Sequence, residues 1–125
     1  MKEAYVSFET AKLLKEKGFD VCTKSFYKKI DQLLHHNTCA LAYWGNSTTL
    51  PAPTQQMAMK WLREVHNIDV CVCRELDEHN ECFDGYIAVV YDNKVYKVTI
   101  RDAEKDLLYE EACESAIKYC LTNLI

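Results

Sequence analysis

The sequence predicts an α+β fold, and three observations carry that expectation. The stretch Ala52–Ile68, APTQQMAMKWLREVHNI, has a helical start signal, an apolar stripe and a stop signal. Three β-rich runs follow it, at 68–74, 86–91 and 94–100, with no helical pattern between them. An amphipathic stretch from about Leu108 to Asn123 then closes the chain. Strands that run together between helices argue for an antiparallel sheet with the helices packed on one face. The expected order is an N-terminal helix, a mixed segment, and then helix–three-stranded sheet–helix. At 125 residues this reads as a single domain, with 1–53 holding the first helix, a variable segment and a polar loop, and 54–125 the α-β-β-β-α core.

Each element has a local cause. Ser7 can cap a helix over 8–17, with Gly18 as its left-handed stop and Phe19 packing back on Leu14. Phe8, Ala11 and Leu14 form its inner face, with Leu13 at its margin, and lysines the other. Residues 20–49 fit two templates. Val21, Thr23, Ser25 and Tyr27 alternate as a strand would, whereas Phe26, Tyr27, Ile30, Leu33 and Leu34 also make a helical stripe. The preferred reading is a strand near 21–26, a short helix, and a strand near 39–44. Gly45–Pro53 is a polar loop leading into the central helix.

For the central helix, Thr54 is the expected N-cap and Asn67 the left-handed stop, with Ile68 packing on Leu62. Its apolar face reads as Met57, Ala58, Trp61, Leu62 and Val65. The run 68–74 is apolar on both sides, which predicts an inner strand. Residues 75–85 read as a polar, acidic connection, and Asp92-Asn93 as a tight hairpin turn. The last helix places Glu110, Glu111 and Glu114 near its N-terminus, where the helix dipole favours acids.

Composition narrows the function classes. Apolar content of 49% and eight tyrosines are those of a globular chain and argue against disorder. No export signal and no run of about 18 apolar residues is legible, so the expectation is a cytoplasmic protein without a membrane span. Seven cysteines, an odd number, then imply a reducing compartment without disulfides. A net charge of −4 disfavours nucleic acid, whose binders neutralise phosphates, although lysines at 12, 15, 17, 24, 28 and 29 make the first quarter basic.

The motifs VSFETAKLLKEKGF, APTQQMAMKWLREVHNI and YEEACESAIKYCLTNLI, at both ends and the centre of the chain, resemble small proteins of Bacteroidetes phages and prophages. Leu50-Pro51 precedes Ala52 where that family has a serine, and 21–49 matches poorly. The resemblance implies a phage context and the host bacterial cytoplasm. It carries no catalytic residue over, because no activity is established for that family. The helix–strand–strand–strand–helix order is also similar to that of double-stranded-RNA-binding domains. Tyr109-Glu110-Glu111, however, stands where those domains carry lysines. The strand–strand–strand–helix part is similar to HicB-type antitoxin domains, and topology alone transfers no function.

Two constellations invite chemistry. Cys71-x-Cys73 with His79 and Cys82 has zinc-ligand residue types, but the Cys-x2-Cys knuckle is missing, and inert thiols explain it more simply. No glycine-rich elbow, HExxH or phosphate loop accompanies the histidines 35, 36, 66 and 79, so no catalytic residue, cofactor or metal is expected. The candidate binding segment is Trp44, Asn46, Ser47, Thr54, Gln55 and Gln56. There an aromatic ring, hydroxyls and amides meet the free N–H groups of a helix start.

The expected function is non-enzymatic binding to a host bacterial protein, with a counter-defence or takeover role, or self-association. The alternatives are a nucleotide-like ligand at the loop–helix junction and nucleic acid at the lysine-rich N-terminal part.

Overall fold

The computed structural model describes residues 3–36 and 48–125. The described residues form an α+β fold, with three helices and two three-stranded antiparallel sheets. Contacts divide the chain into two compact units, Met1–Ala58 and Met59–Ile125.

The first unit opens with α1, Phe8–Glu16. The Ser7 hydroxyl accepts from the Thr10 N–H at 3.2 Å, the expected cap. At its other end the Gly18 N–H donates to the Lys15 carbonyl and the Phe19 N–H to the Leu14 carbonyl. This is a Schellman stop, with Gly18 at φ 93° and both Leu14 and Phe19 buried.

Residues 25–36 are neither the short helix nor part of a strand ending at 26. They form a hairpin of β1, Ser25–Lys28, and β2, Leu34–His36, with Tyr27 opposite Leu34. Asp31 decides this: its carboxylate accepts from the Leu33 N–H at 2.9 Å and Gln32 takes φ 56°, a turn that breaks helical geometry. The Leu33 N–H, followed by the His35 side chain, holds the Asp31 carboxyl below its ordinary value. A third strand, β3, Thr49–Pro51, lies on the other edge of β1, giving the order β2-β1-β3, and α1 packs on β3. The strand expected at 39–44 lies outside the described residues.

Alternation along 23–27 is as expected, but its buried members are polar, and each is satisfied. The Thr23 hydroxyl donates to the Ser25 carbonyl, Ser25 meets His36, and the Tyr27 hydroxyl donates to the Val6 carbonyl.

The central helix is α2, Gln55–His66. Thr54 caps it, its hydroxyl accepting from the Met57 N–H at 3.2 Å, and Asn67 stops it at φ 54° with Ile68 buried behind. Its buried face is rotated from the expected one. Gln55, Ala58, Met59 and Leu62 are covered, with Trp61 beside them, while Met57 and Val65 are exposed.

The second unit carries β4, Ile68–Leu76, β5, Cys82–Asp92, and β6, Val95–Ile100, in sheet order β4-β5-β6. The run 68–74 is therefore an edge strand and not an inner one. The central place goes to β5, whose Ala88 and Val90 are fully buried opposite Val72 and Val70. The connection expected over 75–85 shrinks to a turn at 77–81. There the Asp77 carboxylate accepts from the His79 and Glu81 N–H groups.

The β5–β6 turn is centred on Asn93-Lys94, at φ 51° and 68°, one residue beyond the expected pair. Both positions are left-handed, which is the geometry of a two-residue hairpin that favours Asn-Gly. Lys94→Gly should therefore stabilise the protein by up to about 1 kcal/mol, since lysine loses its left-handed penalty but glycine adds chain entropy. A urea midpoint that falls instead would contradict this.

Helix α3, Tyr109–Asn123, packs across β5 and β4 and reaches β6. Glu111 reaches back to the Leu108 N–H at 3.0 Å, half of a capping box. Cys113, Ala116, Ile117, Cys120 and Leu121 are buried along its inner side. Burial pushes the Cys113 thiol up to about 11 and the Cys120 thiol up to about 12, so both stay protonated and inert. No helix among the described residues is long and apolar enough to cross a membrane.

Candidate functional site

Of the six residues expected to form a binding segment, Trp44, Asn46 and Ser47 lie outside the described residues. Thr54, Gln55 and Gln56 stand at the start of α2, and the structure gives them different surroundings. Gln55 is buried, and its N–H donates to the Ala4 carbonyl at 2.8 Å; Gln56 is exposed. Thr54 lines a cavity of about 320 Å³ in the first unit, together with Tyr5, Thr23, Lys24, Ser25 and Met57.

Three hydroxyls around this cavity, those of Thr23, Ser25 and Thr54, are already engaged. Thr54 caps α2, Thr23 bonds the chain beside it, and Ser25 lies 2.6 Å from His36 Nδ1. Convergence of polar groups here is therefore mainly a way of pinning the backbone that leads into α2.

The Ser25–His36 contact has the residue types of a nucleophile–base pair, and sequence reading did not anticipate it. It joins residues directly opposite each other in the β1–β2 ladder. Tyr5 lies against the imidazole, with ring centroids 5.3 Å apart, and among the described residues no carboxylate pairs with His36. A base without an orienting acid lacks the third member of a hydrolytic triad.

The zinc-type quartet is not assembled. Among the described residues no three His, Cys, Asp or Glu side chains could hold a metal ion. His79 sits in the exposed turn, 3.5 Å from Glu78.

A second cluster lies in the second unit, at the end of the sheet nearest the 77–81 turn. A cavity of about 210 Å³ is bounded there by Phe83, Gly85, Ile87, Arg101, Lys105 and Leu107. Gly85 is needed for it to exist. A Cβ at this position would stand 2.9 Å from the Asp106 Cα, so only glycine lets the 102–107 segment close on β5. The Tyr86 N–H then donates to the Leu107 carbonyl at 3.0 Å.

The charged groups at this end are held in place. Arg101 bonds Glu75 at 2.9 Å, and Lys105 bonds Glu111 at 2.7 Å. The Glu111 contact raises the Lys105 ammonium above its ordinary value, and Lys105 with the Leu108 N–H lowers the Glu111 carboxyl. These pairs are exposed, so they orient side chains more than they stabilise the fold. Arg74 donates to the Phe83 and Asp84 carbonyls and stacks 4.8 Å over the Tyr86 ring, which meets Tyr109 edge-on.

Around these fixed groups the apolar side chains stay in solvent. Phe83 is 53% exposed, Leu76 55% and Leu108 64%. Sequence reading missed this cluster because its members come from three separate segments. The available signal was Phe83, a lone aromatic in an otherwise polar, acidic stretch.

No family model, curated protein or solved structure matches the chain. Functional assignment therefore rests on this geometry.

Proposed function

We propose that the protein acts by non-enzymatic binding to another protein, as an accessory factor of phage or prophage type working on a host target in the host cytoplasm. The observation that supports this reading is the exposed Phe83 beside a small cavity and two fixed arginines, Arg74 and Arg101. Interface hot spots are enriched in aromatic residues and arginine, and gain most where the partner's side chain fills a preformed pocket. Groups already oriented before contact lose little entropy on binding. The reading takes α2 and α3 to share one face of the β4-β5-β6 sheet, leaving the 77–81 end for a partner. A nucleotide-like ligand at the start of α2 is less well supported, since the Thr23, Ser25 and Thr54 hydroxyls there already serve the fold.

The test is affinity capture from host lysate with the native chain, Phe83→Asp and, as a control on the opposite hairpin end, Tyr96→Asp. A specific partner should be retained by the native chain and by Tyr96→Asp. Phe83→Asp should lose it at least about thirtyfold, the factor that corresponds to a hot spot of about 2 kcal/mol. Equal recovery by Phe83→Asp, or nothing above bare resin, would sink the reading.

A further inference from the structure

Cys71 and Cys73 stand two positions apart on β4, in a regular stretch where they face Val89 and Ile87 of β5. Their intervening neighbour Val72 opposes the fully buried Ala88, so both thiols leave the other face of the sheet. Cys71 is exposed and Cys73 half-buried. Both belong to one strand of a hydrogen-bonded sheet, which fixes the distance between their backbones.

That distance discriminates between two chemistries. Residues i and i+2 on a strand are about 6.8 Å apart with near-parallel side chains. A disulfide needs Cβ atoms about 3.5–4.5 Å apart, so this pair cannot close on itself without bending the strand. The sulfurs can nonetheless lean toward each other, because both side chains leave one face of the same regular strand. An ion with metal–sulfur bonds of about 2.3 Å reaches both sulfurs when they are up to about 4.6 Å apart. Bridging by an ion fits where a direct sulfur–sulfur bond does not.

The choice of ion follows from the ligand count. Zinc wants four ligands, and among the described residues no third His, Cys, Asp or Glu completes the set. Soft thiolates select copper(I), which is content with two. We propose that Cys71 and Cys73 form a two-thiolate site for copper(I) on the exposed face of the second sheet. Binding replaces two thiol protons with one ion and releases both protons to solvent. Because binding expels these protons, retention should weaken as pH falls.

The test is an anaerobic titration of the full chain with tetrakis(acetonitrile)copper(I) against a chromophoric copper(I) chelator. The native chain should hold one equivalent. Cys71→Ser and Cys73→Ser should each weaken retention by at least about a hundredfold, because either change abolishes the chelate. Cys22→Ser and Cys82→Ser, which alter exposed thiols elsewhere, should leave it unchanged. Circular dichroism of all four variants establishes that they fold. No retention by the native chain, native-like retention by either of the first two variants, or equal loss in the two controls would each overturn the site.

Discussion

Replacing Trp61 with alanine is expected to destabilise the protein by about 3–5 kcal/mol, the range for deleting a large buried aromatic. Trp61 is only 6% exposed, although it lies on a helix whose neighbours Met57 and Val65 face solvent. Its ring meets His66 edge-on at 4.7 Å, a contact adding about 0.5–1.5 kcal/mol to the area term. Leu62 on the same helix is already fully buried and Ala58 has no reach, so neither takes up the space. Urea denaturation followed by circular dichroism measures the effect. Val65→Ala on the same helix is the comparison and should stay within about 0.5 kcal/mol. Equal midpoints for the two variants would mean that Trp61 is not part of a packed core.

What could be read in advance were the features written in adjacent residues. Ser7, Gly18, Thr54 and Asn67 act through hydrogen bonds or dihedrals that span at most five positions, so their types at those spacings suffice. The hairpin at 25–36 was not legible, because Phe26, Tyr27, Leu33 and Leu34 satisfy both periods. Its decision rests on Asp31 and on hydroxyls that find partners across the sheet. The rank of β4 in the sheet was hidden for a related reason. An apolar run with cysteines suits an inner strand, and only the pairing of β5 with both neighbours sends β4 to the edge.

The candidate site divides along the same line. Thr54 was legible as a cap, and the structure gives it that role beside a cavity. Arg74, Phe83, Arg101 and Lys105 are spread over more than thirty positions. They meet only because the β4–β5 register and the glycine at 85 bring the 102–107 segment onto β5. No local pattern encodes such a meeting. The α2 stripe is likewise set by non-local contacts: Met59 is buried where Met57 was expected, and the Gln55 N–H is held by the Ala4 carbonyl.

Phe19→Ala should cost about 3–5 kcal/mol, as much as Trp61→Ala, but in the first unit. Phe19 is the largest fully buried side chain in the described structure. It occupies the position after the left-handed residue of a Schellman stop, where a buried apolar residue packs back on the last turn of the helix. Its N–H donates to the Leu14 carbonyl at 2.9 Å, and Leu14 is itself fully buried. The backbone bond survives the substitution, so the loss isolates the packing part of the motif. Removing the ring leaves this end of α1 covered by Thr10, Ala11 and Leu14, while Phe8 at the other end stays edge-on to Tyr27. Fraying should therefore begin at this end of α1. Amide hydrogen exchange of residues 14–19 should accelerate more than exchange in α3, beyond any change in global stability. Exchange that rises equally in α1 and α3 would show that the chain loses both elements in one step, and that Phe19 serves the whole fold and not α1 alone.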